Sequence, residues 1–146
     1  MLLVEPDEAL RARLVDVVRS FAEVEADVDF LSARAHLFSK ANDWLVTNIR
    51  LSAYNGLHLV HLASSAKLSL RTLVYAQHAD VVLAREAQRA GAFYEPAESL
   101  PVALPAYLWS LLPDRDRRAP ELRRRRALYR GGRRSTDSVA IVRSFA

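Results

Sequence analysis

Residues 44–66, WLVTNIRLSAYNGLHLVHLASSA, contain a change of period that decides the fold. The run 44–49 is almost continuously apolar and of strand length, as expected for a strand covered on both faces in a parallel sheet. Asn55-Gly56 then marks a turn. From Leu57 the apolar positions suit a helix, over 57–66. Downstream the unit repeats: 70–76 is a second apolar run, Asp80 opens a helix over 80–90, and Gly91 stands where a left-handed C-cap residue ends it. A short strand follows over 92–95.

Upstream, 1–4 is a short apolar strand. Asp7 is placed to cap a helix carrying Leu10, Leu14, Val17, Val18 and Phe21 at helical spacing. Val24, Ala26, Val28 and Phe30 alternate with acids, which predicts a strand over 24–30 with one wetter face, near a sheet edge. Ser32 is then expected to open a second helix through 41. A fifth helix is due to run to 112, but Pro101 and Pro105 fall inside it, so it should start late or be kinked. Five strands separated by five helices predict an α/β domain, a doubly wound five-stranded parallel sheet with helices on both faces, because helices supply the crossovers that parallel neighbours require. In such folds chemistry collects at the carboxyl ends of the strands, near a switch in strand order. Glu5, Asn48, Ala76 and Glu95 all fall there.

The whole chain has 146 residues and suits one domain with an appendage. Charge divides it. Residues 1–112 carry 10 Lys and Arg against 13 Asp and Glu, net −3, whereas 113–146 carry 11 Arg against 4 acids, net +7, giving the overall +4. An acidic segment and a basic one thus follow one another, and 1–112 is read as the domain and 113–146 as an Arg-rich C-terminal extension. The chain has no Cys, which excludes a disulfide framework and thiolate metal sites. Its start reaches Glu5 without a signal-peptide pattern, and no window resembles a transmembrane segment. The expected location is the cytoplasm.

Three stretches in 1–112 resemble a bacterial two-component response-regulator receiver domain of the chemotaxis-regulator type. NIRLSAYNGLHLV at 48–60 is similar to the family's Asp, hydrophobic residue, two variable positions, Pro, then Asn/Asp/Ser-Gly-Leu; LVYAQHADVVLAREAQRAGA at 73–92 resembles its fourth strand, fourth helix and Ala-Gly-Ala cap; Glu95-Pro96 stands where the family has Lys-Pro. The resemblance implies the flavodoxin-like receiver fold, and every position that carries the family's chemistry is altered. Asn48 replaces the phosphoacceptor Asp, and an amide offers no carboxylate to attack phosphorus. The acidic pair that holds Mg²⁺ becomes Glu5-Pro6, with Asp7 one residue on, so metal binding should be weak or absent. Ala76 replaces the hydroxyl-bearing switch residue. Glu95 replaces the Lys, and if it stands close to Glu5 it would raise at least one carboxylate's pKa. The family's Lys-Pro also suggests a cis Glu95–Pro96 bond by analogy. Glu5, Pro6, Asp7, Asn48, Ala76 and Glu95 therefore form a degenerate phosphoacceptor pocket, and the chain is expected to be a pseudo-receiver outside the phosphorelay. Phosphorylation at another acid, such as Asp7, is the residual conventional reading.

The family uses its fourth helix, fifth strand and fifth helix for dimerisation and partner binding. That implies Leu83, Arg89, Tyr94, Tyr107 and Trp109 as an interaction face, for a protein partner or a homodimer. Enzymatic motifs are missing: there is no Gly-rich phosphate loop, Gly-x-Ser-x-Gly elbow or His-Glu-x-x-His pair. No catalytic residue, metal site or cofactor is assigned, and His58 and His61, three apart, lack carboxylate or thiolate companions. Between 115 and 134 lie ten arginines. Of these, Arg123, Arg124, Arg125, Arg126, Arg130, Arg133 and Arg134 are the candidate anion-binding set. Arginine pairs bidentately with phosphate and stacks on bases, so nucleic acid is one reading of this tail. An anionic membrane surface, an acidic protein and a solvated extension are the others.

Overall fold

The computed structural model describes residues 1–110. Its elements are β1 (Leu2–Val4), α1 (Glu8–Val18), β2 (Glu25–Asp27), α2 (Phe30–Ser39), β3 (Trp44–Asn48), β4 (Arg50–Leu51), β5 (Tyr54–Asn55), α3 (Leu57–Ser65), β6 (Arg71–Ala76), α4 (Val81–Ala90), β7 (Phe93–Pro96) and α5 (Leu100–Trp109). Five strands form one sheet in the order β2-β1-β3-β6-β7, and every pair is parallel. The doubly wound α/β fold expected from the sequence is therefore present. The strand order reverses between β1 and β3, which opens the crevice at their carboxyl ends where Glu5 and Asn48 stand.

The three central strands are buried on both faces, and their period of two divides the core. Leu2, Val4 and Leu45 pack under α2 and α3. Leu3, Trp44, Val46, Leu73 and Tyr75 pack under α1 and α5. Val74 and Ala76 join Val60, Ala87 and Ala90 between α3 and α4.

Four local expectations are corrected. The second strand ends at Asp27, and α2 begins at Phe30, because the Asp29 carboxylate accepts from the Ser32 N–H (2.9 Å) and caps the helix before Ser32 can open it. After Asn48 the chain makes a hairpin of β4 and β5 that alternation did not reveal, with Gly56 N–H donating to the Ile49 carbonyl (2.8 Å). The fifth helix starts at Leu100 rather than late: Pro101 falls in its first turn, where a missing N–H costs nothing, and Pro105 stands inside it. The Glu95–Pro96 bond is trans, as are all described peptide bonds, and the strand runs on so that the Ala97 N–H donates to the Ala76 carbonyl (2.7 Å). Gly91 does end α4 in the left-handed region, at φ 85°.

Candidate functional site

Glu5 follows β1 directly, and its N–H donates to the Asp27 carbonyl (3.0 Å), extending the ladder past the end of the strand. Its side chain is 1% exposed. A carboxylate so buried is tolerable only when hydrogen-bonded, and three donors meet it: the Asn48 amide nitrogen (3.0 Å) and the Tyr75 hydroxyl (2.6 Å) at Oε2, and the Asp7 N–H (2.7 Å) at Oε1. The Arg11 guanidinium donates to the carbonyls of Glu5 (2.9 Å) and Pro6 (3.2 Å), pinning the same turn.

Asn48 ends β3 and stands opposite Tyr75 of β6 in the ladder. Its amide nitrogen faces Glu5, while its Oδ1 accepts from the Arg50 N–H (2.9 Å). Only this orientation satisfies both neighbours, since a carboxylate only accepts and a backbone N–H only donates. An ionised Asp here would set a second carboxylate at hydrogen-bond distance from Glu5. Gly56 presses on the same turn. A Cβ at Gly56 would lie 2.2 Å from the Asn48 carbonyl oxygen and 2.9 Å from Thr47 Oγ1, so the backbone approach requires glycine.

Burial, with the Glu5 charge and hydrogen bond added, raises the Tyr75 hydroxyl far above its ordinary pKa of 10.0. Tyr75 is therefore a neutral donor that closes the crevice from the β6 side. Ala76, opposite Pro96, contributes only a buried methyl group. Glu95 takes its own donors, the Tyr107 hydroxyl (2.7 Å) and the Ser99 hydroxyl (3.0 Å), both from the α5 side. Burial first, then the bond to Glu95, pushes the Tyr107 pKa up to about 12. Glu5 and Glu95 thus take their hydrogen bonds from two separate sets of donors.

These oxygens do not fit a resident Mg²⁺. Glu5 accepts from three protein donors, Asp7 Oδ1 accepts from the Leu10 N–H (2.7 Å) as the cap of α1, Pro6 has no side-chain ligand, and Asn48 Oδ1 is occupied by Arg50. A hard dication needs several oxygens free to converge.

No protein-family model and no curated protein sequence matches the chain. Solved structures do. Similar to it are the response regulator DrrB of Thermotoga maritima, an OmpR/PhoB homolog (TM-score 0.67, 15% identity, 73% of this chain and 49% of that one), and a CheY-like response regulator receiver domain protein of Methanospirillum hungatei (TM-score 0.63, 18% identity, 73% and 90%). A third is a response regulator protein of Burkholderia pseudomallei, solved with a phosphorylated aspartic acid, a calcium ion and citrate (TM-score 0.67, 19% identity, 75% and 65%). The fold is that of a response-regulator receiver domain. The chain spans about half the length of DrrB.

Within this receiver fold the pocket residues expected from the sequence fall at the carboxyl end of the sheet. Glu5, Asp7 and Asn48 are joined directly, Pro6 lies in their turn, Ala76 lines the next strand, and Glu95 turns toward α5. The implied interaction face is less coherent. Leu83 and Tyr94 pack together against the α3–α4 cluster, with the Tyr94 hydroxyl bridging the His78 carbonyl (3.1 Å) and the Asp80 N–H (3.0 Å). Arg89 is exposed on α4. Tyr107, however, belongs to the α1–α5 cluster, and Trp109 meets Phe21, edge to face at 6.2 Å. Arg123, Arg124, Arg125, Arg126, Arg130, Arg133 and Arg134 lie outside the described residues. Among the described residues, no helix is long and apolar enough to cross a membrane, and no group of three His, Asp or Glu residues is placed to hold a metal ion.

Sequence reasoning missed Tyr75 and Arg11, and it read Gly56 as a turn residue without the close approach to the Asn48 carbonyl. Tyr75 left one usable signal: a tyrosine at the end of an otherwise apolar strand needs a partner for its hydroxyl.

Proposed function

We propose that this chain is a pseudo-receiver, a non-catalytic signalling module that works in the cytoplasm through contacts with other proteins, copies of itself included, and without being phosphorylated. The observation that carries this reading is the bond from the Asn48 amide to a buried Glu5 already held by Tyr75. Where a phosphoryl acceptor and its metal would need free carboxylate oxygens, the chain has an amide and a saturated network. The β6–α4 loop is likewise tied down by Tyr94, so the partner-facing surface around Leu83, Arg89 and Tyr94 is preformed.

The test is labelling with a small phosphodonor and Mg²⁺, followed by mass spectrometry. The wild-type chain and Asn48→Asp should both stay unlabelled, because Ala76 and Glu95 remain in the variant. The variant's added carboxylate, at hydrogen-bond distance from Glu5, should also cost stability at neutral pH, read by chemical denaturation against the wild type. Strong labelling of Asn48→Asp, or of Asp7 in the wild type, would overturn the reading.

The net +7 of 113–146 favours a second reading, a regulator that holds nucleic acid through its arginines. Binding of a labelled duplex and a labelled single strand by the full chain should then fall steeply with salt. A variant with Gln at Arg123, Arg124, Arg125 and Arg126 should lose most of the affinity and flatten that slope; no binding at low salt removes this reading.

A further inference from the structure

Charge is divided within the domain as well as along the chain. Residues 1–29 carry eight Asp and Glu against three Arg, whereas 30–78 carry one acid, Asp43, against five Lys and Arg and all four His. α2, the β4–β5 hairpin and α3 thus contain no carboxylate side chain, and α2 packs against α3. The acids that flank α2 from the β2 side are engaged: Asp29 caps the helix, Asp27 holds His36 (2.9 Å) and Glu25 holds Lys40. On the acid-free face aromatic rings reach the surface. Tyr54, 43% exposed, lies face to face on Phe30, with ring centres 4.4 Å apart and 13° between the planes. His58 of α3 meets the same Phe30 edge to face at 6.3 Å. Phe30, Arg34 and Phe38 follow at i, i+4 and i+8 of α2, in steps of about 6 Å along the helix. Arg34 is exposed and Phe38 is 50% exposed.

We propose that this face binds single-stranded nucleic acid, with bases stacked on the Tyr54 and Phe38 rings and phosphates met by Arg34, His58 and His61. Three observations select that ligand. Phe30 covers one face of the Tyr54 ring, and the pairing of Tyr54 with Leu51 in the hairpin fixes its position, so little ordering is left to do when a base stacks on the outer face. Such stacking tolerates any sequence, because every base has a π-face. The order ring, guanidinium, ring along α2 matches a strand in which bases alternate with phosphates, and arginine pairs with phosphate through its planar fork. The absence of carboxylates from α2, the hairpin and α3 spares a polyanion the repulsion it would meet at 1–29. A duplex keeps its bases stacked on one another and gives these rings no partner unless it pays to unstack them. An acidic peptide would satisfy Arg34 and leave both rings without a planar partner.

The inference rests on the second reading above, that the chain holds nucleic acid, and adds to it a site on the domain itself. The test is fluorescence anisotropy of the full chain with labelled oligothymidine and oligouridine strands of about twelve nucleotides and with a duplex of the same length; the two strands distinguish DNA from RNA, and binding of either supports the site. Tyr54→Leu and Phe38→Leu keep an apolar side chain and remove the ring. Each should weaken strand binding at least about fivefold with duplex binding and the far-UV spectrum unchanged, whereas Tyr54→Phe should bind the strand like the wild type. Strand binding that both Leu variants retain overturns the face and leaves the arginines of 113–146 as the site; no binding of any probe overturns both. A strand carrying 5-iodouridine, cross-linked by light, should give an adduct on Tyr54 or Phe38 by mass spectrometry, and adducts confined to 113–146 would overturn the proposal. So would an oligoglutamate of equal charge that displaces the strand from the wild type as well as unlabelled strand does, since the face would then take acidic protein.

Discussion

The two ends of the sheet each bury a charged side chain, and they hold it by different contacts. At the carboxyl end Glu5 is held by three hydrogen-bond donors from β3, β6 and its own turn. At the amino end Arg71, 7% exposed, lies with its guanidinium carbon 4.3 Å from the centre of the Trp44 ring and 5.4 Å from that of Phe93. It also donates to the Tyr107 and Ser110 carbonyls (3.4 Å each) and the Ser110 hydroxyl (3.0 Å). A cation at the last carbonyls of a helix meets the negative end of its dipole, and a flat cation can stack on ring faces as a carboxylate cannot. The anion closes the crevice where a receiver would do chemistry. The cation anchors the end of α5 at the end of the sheet opposite Glu5.

The largest expected effect breaks the amino end. Trp44→Ala removes the nearer ring from Arg71 and opens a cavity under α5, and should cost about 3–5 kcal/mol in chemical denaturation. Tyr75→Phe is the smaller, sharper change at the carboxyl end. It leaves Glu5 one donor short and should cost about 1–3 kcal/mol. Its pH dependence has a definite sign. Tyr75 has a folded pKa above its unfolded value, so its contribution is complete below about pH 10 and is lost as the pH rises further. The gap between wild type and Tyr75→Phe should therefore narrow above pH 10. Tyr107→Phe should show the smallest effect, about 0.5–1.5 kcal/mol, with its gap closing between pH 10 and about 12. A gap at Tyr75→Phe that widens with alkali would mean that the hydroxyl does not donate to Glu5.

Periodicity made most of the fold legible. The apolar runs that became β1, β3 and β6 have the pattern expected of strands buried on both faces, and Asp7 and Gly91 cap helices as expected because capping is a local matter of one side chain or one φ angle. The errors arose where two local signals competed. Asp29 outranked Ser32 as a cap, and alternation through Phe30 disguised the first turn of α2 as strand. The receiver-like motifs also located Glu5 and Asn48 correctly at the switch in strand order, because their spacing follows the ends of regular strands.

The sequence by itself determined which chemical groups stand at the carboxyl end: an amide at 48, a carboxylate at 5, a methyl at 76 and an acid at 95. Only the tertiary structure decided how they are used. Glu5 meets Tyr75 across 70 residues of chain and Asn48 across 43, while Glu95 turns away to Tyr107 and Trp109 leaves the expected face for Phe21. Local pattern sets which way a strand residue points. Which donor reaches a buried charge depends on parallel crossovers that bring β1, β3 and β6 side by side, and no local pattern encodes that distance.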